Sequence, residues 1–270
     1  MQSISEIILP LVRRAGAIML GAHDIESRDN LKEKGDAANL VTVYDVAVQN
    51  FLMTEIRAAL PDATFIAEEK ENDPAVLKAS CCFVIDPIDG TANFAHGYRH
   101  SSISVALFSR GEAIFAAVYD PYQDELFHAE KGGGAFVNGQ KMQVASRDFA
   151  HSIVAFGTSP YRKSELGEPT FRLAEAFFTH CSDVRRLGSA ALDLAYLAAG
   201  RNDIFFEYSL SPWDIAAGYL LIREAGGIIT DMDGGELTFT APCTVLAAGP
   251  HVYAQALTLV KSVSTQSTGG

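Results

Sequence analysis

Residues 83–94, FVIDPIDGTANF, constrain this chain more than any other stretch. An apolar strand at residues 83–85 runs straight into Asp86, Pro87 stiffens the turn, and Asp89 comes three residues later. Gly90 and Thr91 follow, with a helix expected to start near Ala92. A strand end of this kind can aim two carboxylates and a backbone carbonyl at one point. Exposed N–H groups at the helix start can meet an anion from the other side. Oxygen ligands of that type suit hard divalent cations, Mg²⁺ above all, with a substrate phosphate completing the shell. Read alone, Asp-Pro and Asp-Gly are also common turn dipeptides, and the same letters describe a tight turn with solvated acids.

The surroundings of this segment place it in a mixed fold. Before it, apolar residues recur at helical spacing over residues 4–12 and 47–59, the second run ending at Pro61, and residues 64–67 read as a short strand. From residue 81 onward, runs at 83–85, 102–108, 113–119, 126–129 and 135–137, separated by short turns, predict an antiparallel meander. Beyond it, helices at 170–178, 189–199 and 213–224 alternate with strands at 204–206, 228–230 and 245–248. The reading is α+β: an N-terminal α+β half at 1–145, a C-terminal α/β half at 146–262, and a disordered tail at 263–270.

Composition narrows the partners. The formal net charge is −12, and no basic surface is evident to release counterions from a polyanion, so nucleic acid is not expected as a primary ligand. A phosphorylated substrate stays open, because bound cations can invert the local charge. No uncharged run approaches the roughly 20 residues that span a bilayer, and no membrane role is expected. Glu6 precedes the first apolar run while Arg13 and Arg14 follow it, the reverse of a secretory signal. Cys81, Cys82, Cys181 and Cys243 form no CxxC pair. They read as small buried residues in a reducing compartment, which favours the cytoplasm.

Further acids accumulate around the central segment. Glu68 and Glu69 follow the apolar run at 64–67, and Asp214 lies beside the only tryptophan at the start of an apolar helix. Each has a plainer reading, as a solvated loop pair or as a first-turn acid complementing a helix dipole. Spacing alone does not make them converge.

Taken together, five ordered blocks resemble the inositol monophosphatase family over roughly residues 4–260. They are LVTVYD at 40–45, FIAEE at 65–69, DPIDGTANF at 86–94, LGSAAL at 187–192, and WDIAAG at 213–218 with EAGG at 224–227. The resemblance implies a layered αβαβα sandwich, like inositol monophosphatase and fructose-1,6-bisphosphatase, with the site between the halves. Glu68, Asp86, Asp89 and Asp214 would hold two or three Mg²⁺ ions through carboxylate oxygens, and Ile88 through its backbone carbonyl. Asp45, Thr91 and Glu69 would serve catalysis, with Asp45 and Thr91 orienting the attacking water. Gly90 and Thr91 would bind the phosphate. Gly188, Ser189, Ala190, Glu207 and Asp214 would meet the rest of the substrate, and Lys34 would lie on an active-site loop at 32–39.

The implied function is Mg²⁺-dependent hydrolysis of a small phosphate monoester, myo-inositol 1-phosphate foremost, by a lithium-sensitive homodimer. Alternatives are another phosphatase of the same superfamily, acting on fructose 1,6-bisphosphate, histidinol phosphate, NADP or 3′-phosphoadenosine phosphate, or a regulatory protein that keeps the fold. Ala92 stands where a second threonine is common, and Ser211-Pro212 where animal members carry His-Cys. Neither position is an implied metal ligand.

Overall fold

Alternate residues along the central strands serve different layers, and this alternation sets the architecture. The structure is a computed structural model that describes residues 3–265 except 26, 28, 29, 36, 38 and 39. The chain begins with α1 (Ile4–Leu20), a small antiparallel pair β1 (Leu31–Glu33) and β2 (Leu40–Thr42), and α2 (Val43–Ala59). Then come β3 (Thr64–Ala67), β4 (Cys82–Asp89), α3 (Thr91–Ala95), β5 (Ser102–Ser109), β6 (Glu112–Asp120), β7 (Glu125–Glu130), β8 (Gly134–Val137) and β9 (Gln140–Lys141). The remainder holds β10 (Ile153–Phe156), α4 (Lys163–His180), β11 (Asp183–Arg185), α5 (Ala190–Ala198) and β12 (Ile204–Leu210). It closes with α6 (Pro212–Glu224), β13 (Ile228–Thr230), β14 (Cys243–Ala248) and α7 (Tyr253–Thr265).

A seven-stranded sheet runs β3 to β9 in sequence order, and a five-stranded sheet runs β11-β10-β12-β14-β13. The larger sheet is antiparallel as expected except at its first pair, where β3 lies parallel to β4. On β4 and β5, Phe83, Ile85, Ile103, Val105 and Leu107 face one way and pack with Ile8, Val12, Val48 and Leu52 of α1 and α2. Val84, Ala106 and Phe108 face the other way and meet Leu192 and Leu194 of α5 and Ile215 and Leu221 of α6. Phe205 of β12 joins that same middle layer, while its neighbours Ile204 and Phe206 point outward to Leu173 and Phe177 of α4 and Ala256 and Val260 of α7. Two-sided burial explains why these strands read as unbroken apolar runs. The layers are therefore α1/α2, sheet, α5/α6, sheet, α4/α7, the αβαβα order expected. Among the described residues, no helix is long and apolar enough to cross a membrane.

Several boundaries differ from the sequence reading, each for a local reason. The second helix begins at Val43 rather than residue 47, because Thr42 caps it: its hydroxyl accepts from the Tyr44 N–H at 3.1 Å and the Asp45 N–H at 3.3 Å. Helix α4 begins at Lys163, not 170, with Pro169 accommodated inside it. The expected tail from residue 263 is corrected for its first three residues. Helix α7 continues to Thr265 because Val260 and Val263 are buried against the outer layer, and residues 266–270 lie outside the described residues.

Candidate active site

Regular strand alternation would send residues three apart to opposite faces of a sheet. Strand β4 escapes this where Asp86 pairs with Ser104 and Asp89 with Ser102, so that one extra residue is accommodated on β4. Pro87, which has no N–H for the ladder, sits inside the bulge. The bulge re-aims the strand end and brings both carboxylates to one side. The parallel register of β3 with β4, in which Ala67 faces Ile85, sets Glu68 beside Asp86. The Glu68 N–H donates to the Ile85 carbonyl at 3.3 Å. Asp214 arrives from the first turn of α6, where its carboxylate accepts from the Ser211 N–H at 2.7 Å. Carboxylate oxygens of Asp86, Asp89 and Asp214 lie within 4.8 Å of one another.

Like charges packed this closely out of water oppose ionisation. Burial, then Glu68, Asp89, Asp214 and Asp45, hold the Asp86 pKa well above the ordinary carboxylate range. Asp214 is raised well above it as well, by burial and then by Glu68 and Asp89. Asp89 rises only to about 6: burial pushes it up, but the Ser189 hydroxyl and the Ala191 N–H, at 2.9 Å, donate to it. Three acids with no cation beside them among the described residues, and a neighbouring glutamate that Lys34 reaches, form a donor set fitted to a hard divalent cation. Ile88 and Glu68 line the same cavity.

The cavity above these acids has a volume of about 380 Å³. Gly90, Thr91, Gly188, Ser189, Ala190, Glu207 and Lys34, all named from the sequence, line it. Gly90 adopts φ 87° at the start of α3, and a Cβ there would lie 2.9 Å from the Gly188 carbonyl oxygen, so glycine is required on both counts. The Thr91 hydroxyl sits 3.2 Å from Asp45 Oδ1 and 3.0 Å from the Ile88 carbonyl. Asp45, in the first turn of α2, is fully buried, and its other oxygen accepts from the Thr42 N–H at 2.8 Å and from the Thr42 hydroxyl. Burial raises its pKa to about 7 against those two hydrogen bonds.

Two expected residues, Asp45 and Glu69, stand outside the cavity lining. Glu69 does not line the cavity: its carboxylate reaches Lys34 Nζ at 2.5 Å, and its N–H donates to Gln49 Oε1 at 2.9 Å. Lys34 also holds Glu68 at 3.0 Å. Burial works against the Lys34 charge, yet Glu68 and Glu69 together keep its pKa above the ordinary value.

At the opposite side of the cavity stands Glu207 on β12, buried, with Oε1 accepting from both the N–H and the hydroxyl of Ser159 at 2.9 Å. Burial lifts its pKa to about 7 despite that pairing. Ser159, Tyr161, Arg186 and Asp193 also line the cavity and were not anticipated from sequence. Asp193 alone carried a usable signal, as the one charge in the otherwise apolar run AALDLAYLA.

The layered αβαβα frame places converging carboxylates, which could hold a metal ion, under a small cavity. The chain belongs to the inositol monophosphatase family, whose family model matches residues 1–266. It is 41% identical to an inositol-1-monophosphatase of Mesorhizobium japonicum over 211 residues, covering 77% of this chain and 76% of that one. It is 37% identical to the Nus factor SuhB of Pasteurella multocida over 266 residues, 97% of each. Among solved structures, an IMPase of Thermotoga maritima superposes with a TM-score of 0.86 at 32% identity, covering 97% of this chain and 98% of that one.

Proposed function

We propose that this protein is a Mg²⁺-dependent phosphatase that hydrolyses a small phosphate monoester, with myo-inositol 1-phosphate the foremost substrate. The observation that carries the proposal is the convergence of Asp86, Asp89 and Asp214, with oxygens within 4.8 Å of one another and their ionisation opposed by burial and by neighbouring acids. In this reading Glu68, Asp86, Asp89, Asp214 and the Ile88 carbonyl hold Mg²⁺. Bound Mg²⁺ supplies Lewis-acid chemistry, neutralising the ester dianion and making water more acidic.

The chain's own groups do the positioning, which is most of what phosphoryl transfer asks of a protein. The Thr91 hydroxyl and Asp45 Oδ1, 3.2 Å apart, orient the attacking water. Gly90 and Thr91 present backbone N–H groups to the phosphate. Gly188, Ser189 and Ala190, at the start of α5, border the alcohol, and Glu207, fixed by Ser159, accepts from its hydroxyls. The 41% identity to an inositol-1-monophosphatase supports the polyol substrate.

A second reading, a regulatory protein that keeps the fold, is favoured by the relatives named Nus factor SuhB. The complete acid set supports catalysis over that reading. Phosphate release with Mg²⁺ on inositol 1-phosphate, fructose 1,6-bisphosphate, histidinol phosphate, NADP and phosphoadenosine phosphate separates them. A dominant rate on inositol 1-phosphate is the expected result. A dominant rate on another ester replaces the substrate, and no release from any supports the regulatory reading.

A further inference from the structure

Helix α5 is apolar on all sides but one. In its run AALDLAYLA the sole charge is Asp193, and the residue is 1% exposed. Other buried acids of this protein have protein donors. Asp203 accepts from Arg147 Nε at 2.9 and 3.0 Å and from the Ile153 N–H at 2.8 Å. Asp89 has Ser189 and Ala191, Asp45 has Thr42, and Glu207 has Ser159. Asp193 Oδ1 and Asp120 Oδ2 are buried with no hydrogen-bond partner among the described residues; Asp120 Oδ1 still accepts from the Tyr122 and Gln123 N–H groups, and of the two residues only Asp193 lines the cavity. Leaving a buried acceptor unpaired costs about 1–3 kcal/mol. A carboxyl kept at that cost on the wall of a cavity is available to a donor that enters the cavity.

The charges around Asp193 say which kind of donor. Burial first, then Asp89 and Glu207, work against its ionisation, while Arg186 favours it. Asp193 thus shares the cavity wall with Asp89 and with the residue proposed to meet the alcohol. A phosphate oxygen would be repelled by such a wall, whereas a hydroxyl can donate to it.

We infer that Asp193 contacts the alcohol half of the substrate and, with Glu207, forms an acceptor pair that selects a leaving group bearing several hydroxyls. The inference rests on the phosphatase reading and deepens it. It separates two acids by role: Glu207 is oriented in advance by Ser159, whereas Asp193 receives its hydrogen bond only when substrate is present.

The test compares inositol 1-phosphate with phenyl phosphate, which has no hydroxyl on its leaving group, in wild type, Asp193→Asn and Asp193→Ala. The expected result is a fall of about tenfold in the ratio of kcat/KM for the two esters in Asp193→Ala. Asp193→Asn should fall less, because its amide carbonyl still accepts. The thermal midpoint should hold or rise in both, since an unpaired buried acid has been removed. An unchanged ratio would overturn the inference, and a lowered midpoint with equal losses on both esters would make Asp193 structural. A loss confined to histidinol phosphate, run alongside, would overturn the choice of hydroxyl over ammonium. No Mg²⁺-dependent release from either ester by wild type would overturn the phosphatase reading and this inference together.

Discussion

At its acid end the cavity is built mostly from one stretch of chain, joined by Glu68 after β3 and Asp214 of α6, and at the Glu207 end from three separate elements. Asp86, Ile88, Asp89, Gly90 and Thr91 occupy one strand end and the turn after it, and a single bulge in β4 aims the first two acids. Glu207, Ser159 and Asp193 come from β12, the loop after β10, and α5. The electrostatics differ in the same way. The acid end is left with repulsion that a cation relieves, whereas Glu207 already has its donors within the protein. Ser159 makes that pairing from φ 39°, an uncommon conformation for a residue with a side chain. The contrast teaches that local chain geometry can crowd acids together so that ionisation is opposed, whereas Glu207 is held by donors that only tertiary packing supplies.

The largest effect should come from the acid end. Asp89→Asn removes a charge with little change in volume and should lower Mg²⁺-dependent phosphate release by at least about a hundredfold. Far-ultraviolet circular dichroism should stay unchanged. Near-normal turnover would show that the converging acids are not the metal site.

The Glu207 end should respond more selectively. Glu207→Ala should reduce the preference for inositol 1-phosphate over phenyl phosphate by about tenfold, the worth of a hydrogen bond to a charged acceptor. Equal losses on both esters would merge the two ends into one functional unit and reassign Glu207.

One substitution should affect both ends through packing. Gly218 lets α6 lie against α5, and a Cβ there would come within 2.5 Å of Leu194 Cδ1. Gly218→Val should cost about 1–3 kcal/mol in urea unfolding by overpacking, and should reach the site because α6 carries Asp214 in its first turn and α5 starts at Ala190 after Ser189. Full stability in that variant would mean that the helices can separate without disturbing the site.

The smallest effect expected is on pH-dependent stability. Asp45 and Glu207 have folded-state pKa values raised to about 7 from ordinary values of 3.8 and 4.5. Between those limits the folded chain binds more protons than the unfolded one, so stability falls as pH rises. The metal-free protein should therefore melt at a lower temperature at pH 8 than at pH 5. Mg²⁺ should recover part of the loss at pH 8 by stabilising the ionised acids. A midpoint that rises with pH in the absence of metal would contradict the assigned shifts.

The same contrast explains what could be read before the structure. The acids of residues 86–91 were legible because local chain geometry brings them together, and β3 adds Glu68 through simple strand pairing. The doubly buried strands and α5 and α6 were legible from unbroken apolar runs. Strands β10 and β11 were not read from the sequence, and in β11 Asp183 and Arg185 flank a single apolar residue. Helix α4 was read short because Pro169 looks like a boundary, and α7 was hidden by the polar composition of its last turn. The Ser159–Glu207 pair spans 48 residues and depends on how two elements pack, which no local pattern encodes. Asp193 lies one residue beyond the LGSAAL block and was passed over for that reason.

The most direct test of the account is phosphate release from inositol 1-phosphate, measured with and without Mg²⁺, for wild type and Asp89→Asn side by side. The account predicts release by wild type that requires Mg²⁺ and is lost in the variant. Release that survives the removal of Mg²⁺, or that Asp89→Asn retains, would contradict it.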